Sequence, residues 1–305
     1  MIESIQDSKS EVRNLILIPH RDLHRFPLHS LFPQNFTITY LPSAKIGLTL
    51  QHLTPNPNVR LLSVEHPNSE GLDQLPFAEI ESAAISQFFD NSTRLTGIDA
   101  TKEQVMGSLA DEHSIFHFTG HAAYEFNNPK ESYLALTDKD RLTLENVLHL
   151  DLISYRLVSL VACETAITGN QTIITEYAGL VSGFLSQGVS YVLSTLWTVE
   201  SGASAVIMIK FYRLLRKGIP EPVALARAQR WLRQLSCRKL AKLYEFYQDA
   251  IKRLPDDEGR LEPFLKTELR IVGRMEPSYK LYEHPYYWAA FTITGFCKEE
   301  NEPHR

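Results

Sequence analysis

The sequence predicts an α/β domain built on a largely parallel sheet. Short apolar runs such as "NLILIPH", "VRLLSVEHP" and "VSYVLSTLW" alternate with stretches of helical periodicity. That alternation is the signature of strand–helix–strand units stacked into one sheet with helices on its faces. The composition agrees: 305 residues, 44% hydrophobic and 22% charged, are ordinary for a globular chain that buries a substantial core.

Taken in order, "NLILIPH" (Asn14 to His20) reads as the first buried strand and "VRLLSVEHP" (Val59 to Pro67) as the next. "PFAEIESAAISQFF" is an amphipathic helix with Pro76 suited to its first turn. "STRLTGIDA" is a short strand. "TKEQVMGSLAD" opens a helix, because Thr101 precedes Gln104 by three positions as a capping box requires. "SIFHFTGHAAY" (Ser114 to Tyr124) is a strand, followed by a turn at Asn127 to Pro129, a hairpin strand "SYLALT" and a helix from near Thr143. The strand "RLVSLVACETAIT" leads through a polar loop to a helix that begins near Thr175 and is stopped by Gly188. Val189 to Trp197 is another buried strand. Two helices follow, "SGASAVIMIKFYRLLRKG" and "PEPVALARAQRWLRQL". Residues from about 238 to 283 are charged, helix-prone and broken at "LPDDEG", so they read as a helical insertion or cap before the last strand, "YYWAAFTITGF". Polar tails, 1–13 and 298–305, flank a single domain over 14–297.

Composition narrows the function. The formal net charge is −5 and no long basic run is present, which argues against nucleic acid as a direct partner. Three scattered cysteines make no disulfide framework and fit a reducing, cytoplasmic setting. The N-terminus has no apolar signal core, and the longest apolar stretch, near Val189 to Leu196, is too short to span a bilayer.

Two places depart from the pattern of a buried strand. In "IFHFTGHA" the residues Ile115, His117, Thr119 and His121 share one face of a regular pleat, and Gly120 is placed to turn the chain out of the sheet, presenting His121 at its carboxyl edge. Ligands and reactive groups collect at that edge of parallel sheets. In "LVACETA" an apolar run ends on a lone cysteine, Cys163, at the matching end of its strand. An imidazole beside a thiol can take its proton and return one to a leaving amine, with backbone amides holding the oxyanion. The plainer alternatives are a small buried hydrophobe for Cys163 and a core or capping histidine for His121. His113, His117 and His121 also recur at every fourth position, as metal ligands on one helix face would. The aromatic and Thr-Gly context opposes a helix there, so neither metal nor other cofactor is expected.

"FHFTGHA", "LVACETA", "GLVSGFLSQGVSYVLSTLW" and the closing "HPYYWAAFTITG", with "LILIPHRDLHRFPLHSLFP" near the start, together resemble the CHAT domains. These are mostly bacterial, caspase-like modules often joined to tetratricopeptide repeats. The resemblance implies a caspase-like three-layer α/β/α fold and an endopeptidase acting on protein substrates through a Cys-His dyad. By position His121 is the general base and Cys163 the nucleophile, with the backbone N–H groups of Cys163 and Ala122 as the oxyanion hole. Many members carry Gly where Ala122 stands. A caspase signature, Gln-Ala-Cys followed by Arg, Gln or Gly and then Gly, is met only at Ala162-Cys163. The substrate pocket falls on Val161, Ser201 and the neighbouring Glu200; relatives selective for basic residues carry a carboxylate at the position of Val161 or of Ser201. Here Val161 and Ser201 are uncharged, which predicts a preference for uncharged residues at the cleavage position. The loop Ile167 to Glu176 is expected to order on activation by a partner, ligand or tetratricopeptide-repeat protein. Two readings of another class stay open: a catalytically silent caspase-like interaction module, and a nucleotide-binding α/β domain, for which no glycine-rich phosphate motif follows the first strand.

Overall fold

A computed structural model describes residues 13–53, 59–67, 69–123, 125, 127–164, 173–252 and 259–296; the side chains at 66–67, 162–164, 173–178 and 250 lie outside that description. The chain enters with β1 (Asn14–Leu17), two short 3-10 turns, β2 (Thr37–Tyr40) and α1 (Ala44–Leu50). Then come β3 (Leu61–Pro67), α2 (Pro76–Ser86), β4 (Ser92–Gly97), α3 (Lys102–Ala110) and β5 (Ile115–Ala123). A small hairpin, β6 (Tyr133–Ala135) and β7 (Arg141–Thr143), leads into α4 (Leu144–Val147). The rest is β8 (Leu157–Glu164), α5 (Ile173–Ser186), β9 (Tyr191–Thr195), α6 (Ser201–Leu215), α7 (Glu221–Arg233), α8 (Cys237–Ile251), α9 (Leu261–Gly273), α10 (Pro285–Trp288) and β10 (Phe291–Gly295).

The main sheet runs β1-β2-β10-β9-β8-β5-β3-β4, with the β6–β7 hairpin attached to the end of β5. Every neighbouring pair along that path is parallel except β9 and β10. Successive residues of the central strands enter opposite cores. Ile115, Leu157, Val161 and Leu193 pack with α2, α6, α7, α8 and α9. Phe116, Phe118, Val158 and Leu160 pack with the layer of α3, α4 and α5. Each fully buried side chain of this size contributes about 1.5–3 kcal/mol. The result is the three-layer arrangement expected of a mostly parallel sheet.

Local chemistry sets the element ends. Pro76 stands in the first turn of α2. Thr101 Oγ1 accepts from the Gln104 amide at 3.2 Å, which starts α3. Thr143 and Asn146 cap α4 reciprocally, at 3.1 and 3.2 Å. Gly188 follows α5 at φ +94°, and a Cβ there would meet the Ile153 backbone at 3.0 Å.

The structure corrects several expectations. The strand expected to be buried at Asn14 is half-buried, because β1 forms the edge of the sheet. β2, α1 and β7 had no sequence prediction; at four, seven and three residues they are too short to show a period. The chain does not turn out of the sheet at Gly120: β5 runs on to Ala123, its end held by Leu134 and Tyr133 of β6. The charged helical insertion at 238–283 is present before the last strand, and Leu240, Tyr244, Tyr247, Leu261 and Leu265 of α8 and α9 sit in the core over α2. Of the loop Ile167 to Glu176, residues 167–172 lie outside the described part and Ile173 onward is already α5. Among the described residues no helix is long and apolar enough to cross a membrane.

Candidate active site

The site is made where β5 and β8 end together. The strands pair in parallel from Ile115↔Leu157 to Gly120↔Ala162, and then His121 pairs with Glu164. One step on β5 is matched by two on β8, so Cys163 is the extra residue of a β-bulge. Bulges interrupt pairing and re-aim side chains, and they recur beside active sites. Adjacent strands lie about 4.8 Å apart, so the backbones of His121 and Cys163 are lateral neighbours at the carboxyl edge of the sheet. The Cys163 side chain lies outside the described residues.

His121 is 3% exposed, and its Nε2 lies 3.0 Å from the carbonyl oxygen of Asp73, in the loop between β3 and α2. A carbonyl only accepts, so the ring donates from Nε2, and the neutral imidazole is left with its basic lone pair on Nδ1. This orients the ring and fixes its tautomer, the third element that nucleophile–base pairs need. Ala122 is buried and stands opposite Leu134 of β6, so the hairpin holds the backbone just past the histidine.

One layer below, a fully buried polar chain crosses from α2 to α6. Glu81 Oε1 lies 3.1 Å from His117 Nε2, His117 Nδ1 lies 2.8 Å from Ser159 Oγ, and Ser159 Oγ lies 2.5 Å from the Tyr212 hydroxyl. Burial pushes the Tyr212 phenol far up, so it stays a neutral hydroxyl. Nearby, Glu65 is paired with Arg94, yet burial pushes its carboxyl up to about 8. These groups tie α2 and α6 to β3, β5 and β8, the strands that carry or flank the site.

The other residues singled out from the sequence are placed as follows. Val161 is 0% exposed and belongs to the apolar core. Glu200 and Ser201 follow β9 out of the sheet at the same carboxyl edge as His121 and Cys163. Glu200 is exposed, and its carboxylate accepts from the amides of Gly202 at 3.0 Å and Ala203 at 2.8 Å, capping α6. Cys237 is buried in α8, 3.8 Å from Met275 Sδ, and burial raises its thiol, so it serves packing. Cys297 lies outside the described residues. His113 bonds Ser108 O and Thr93 Oγ1, partners unrelated to those of His117 and His121, and the three do not share a helix.

Two contributors escaped sequence reading. The Asp73 carbonyl is a backbone group and carries no residue signal. Glu81 did leave one: it is an acid on the apolar face of α2, between Ile80 and Ala84, and such a residue needs a buried partner.

A profile of the CHAT domain matches residues 1–296. The chain belongs to the CHAT domain family. No curated protein matches its sequence. In fold, this CHAT domain is similar to RgpB of Porphyromonas gingivalis in the complex of its pro- and mature domains. The TM-score is 0.56 at 9% identity, over 97% of this chain and 67% of that one. It is also similar to the Arg-specific cysteine proteinase gingipain R (RgpB), with a TM-score of 0.54 at 8% identity over 97% of this chain and 65% of that one. The separase–securin complex of Saccharomyces cerevisiae aligns over 90% of this chain and 15% of that one, at 14% identity and a TM-score of 0.47. The CHAT domain thus spans about two thirds of each gingipain chain. It has the caspase-like α/β/α fold, with a mostly parallel sheet and the helices α8 and α9 inserted before the last strand.

Proposed function

We propose that this CHAT domain is a cytoplasmic cysteine endopeptidase that cleaves protein substrates, with residues 14–297 acting as one unit. The observation that carries the reading is the register of β5 on β8, which pairs Gly120 with Ala162 and His121 with Glu164 and so leaves Cys163 beside His121. His121 Nδ1 takes the Cys163 proton, and the thiolate attacks the scissile carbonyl carbon. The C–S bond forms as the carbonyl π electrons move to oxygen, which the Cys163 and Ala122 amides receive. As the oxyanion collapses, the C–N bond breaks and the imidazolium gives its proton to the departing amine. Water, deprotonated by the same ring, then hydrolyses the thioester and returns the thiol. Glu200 and Ser201, at the carboxyl edge of the sheet, border the pocket for the residue before the cut; Val161, the third position singled out from the sequence, is buried in the core and does not. Activity is held latent until a protein partner or ligand orders the segment after Cys163.

The fold shared with a cysteine proteinase supports this reading. The test is a cysteine-directed covalent probe on the wild type and on Cys163→Ala, with the adduct located by intact mass and peptide mapping. Selective adduct formation at Cys163 over Cys237 and Cys297 is expected. Equal labelling of all three, or none at Cys163, counts for a silent interaction module or for a latent enzyme whose activator is missing.

A further inference from the structure

Well apart from the dyad, a cavity of about 370 Å³ opens on the surface between α6, α7 and α8. Its rim is cationic: Lys210 and Arg213 come from α6, and Lys239 and Lys242 from α8. No carboxylate lines it, and among the described residues none of the four makes an ion pair. In a chain of formal net charge −5, four uncompensated cations around one hollow are a local reversal of sign. Lys210 lies 5.0 Å from the centre of the Trp231 ring, and its pKa is lowered by burial and then by Arg213 and Lys217. An anionic group here would relieve that repulsion.

The floor is apolar. Phe88, Ile209, Trp231 and Leu243 line it, and Phe246 stands 56% exposed at its border. On α8 the residues Lys239, Lys242, Leu243, Phe246 and Tyr247 recur at spacings of three and four, so they form one stripe along the helix. From Lys239 to Tyr247 the stripe is about 12 Å long, some two turns.

We propose that this groove docks an acidic amphipathic helix of a protein partner. A helix laid along α8 would set an apolar ridge onto Phe246, Leu243 and Trp231, while carboxylates beside that ridge met the four cations. A duplex needs a broad basic face rather than a concave apolar floor with a charged rim. A bilayer offers no ridge to fill the hollow. The inference does not depend on the peptidase reading, because it is tested by binding.

The experiment is fluorescence anisotropy of the full chain with a labelled synthetic helix of about 18 residues, leucines on one face and glutamates on the other. Binding that falls about tenfold in Lys239→Glu plus Lys242→Glu, and again in Phe246→Ala, is expected, with weakening as salt rises. All three residues are exposed, so unchanged thermal melting should show that the variants stay folded. A peptide of the same composition with its leucines out of helical phase should bind more weakly. Absence of binding, binding indifferent to the charge reversals, or tighter binding of single-stranded RNA or phosphatidylglycerol vesicles would overturn the proposal.

Discussion

The ring of His121 is held by the backbone carbonyl of Asp73, 3.0 Å from Nε2 and 48 positions earlier in the chain. Because that acceptor is a peptide oxygen, no side-chain substitution at Asp73 removes it. The orientation of the base therefore depends on the path of the loop between β3 and α2.

This relationship and the bulge at Cys163 predict the effect of removing either partner. Cys163→Ala and His121→Ala should each reduce peptide-bond cleavage to background while circular dichroism and melting temperature stay near wild type. Cys237→Ser should keep its activity, since that thiol is buried in α8 and raised by burial. Measurable turnover by Cys163→Ala would exclude the mechanism.

Glu200 bears on specificity. Its two oxygens cap α6 through Gly202 and Ala203, so the carboxylate has a structural use, and neither Val161 nor Ser201 supplies another. Burying a cationic side chain without a paired carboxylate costs several kcal/mol. A peptide-library profile should favour uncharged residues at the cleavage position. Glu200→Gln should shift that profile little and weaken the α6 cap by about 1 kcal/mol, read by denaturant unfolding. A profile dominated by Arg or Lys would reverse the assignment.

His29 predicts a pH dependence of stability. Its Nδ1 lies 2.8 Å from the Tyr40 hydroxyl and its Nε2 3.3 Å from Gln229 Nε2, so it joins the β1–β2 end of the sheet to α7. Burial pushes its pKa down to about 4. A depressed histidine is neutral in the native protein, whereas the unfolded chain takes up the proton near its ordinary value of about 6.5. Its contribution is full above that value and is lost as pH falls from about 6.5 toward 4. The melting temperature should drop through that window, and His29→Gln should flatten the drop. Parallel curves for the two proteins would remove His29 as the cause.

Gly295 closes the sheet. It pairs with Tyr191 across the β9–β10 ladder, and a Cβ there would collide with the Ser190 carbonyl oxygen. Backbone cannot yield as a flexible side chain can, so Gly295→Ala should cost about 1–3 kcal/mol in denaturant unfolding. Gly107→Ala, at a position with open space around it, should not destabilise the fold.

Much of this architecture is legible in the chain itself. Apolar runs mark the central strands, Thr101 and Thr143 mark helix starts, and His121 and Cys163 stand out because each interrupts a buried run at its end. What tertiary structure decided is non-local. The edge position of β1 and the pairing of the four-residue β2 depend on neighbours far along the chain, and so leave no period to read. The helices at 237–273 read as an added cap because their charges dominate the composition, although one apolar stripe on each joins the core. Gly120 permits a turn, but pairing with β8 and then β6 offers more backbone hydrogen bonds than leaving the sheet, so the strand continues. The two candidate residues could be named from their own strands. Their adjacency exists only because β5 and β8 share a parallel ladder that runs in register to Gly120 and Ala162, the residues just before each.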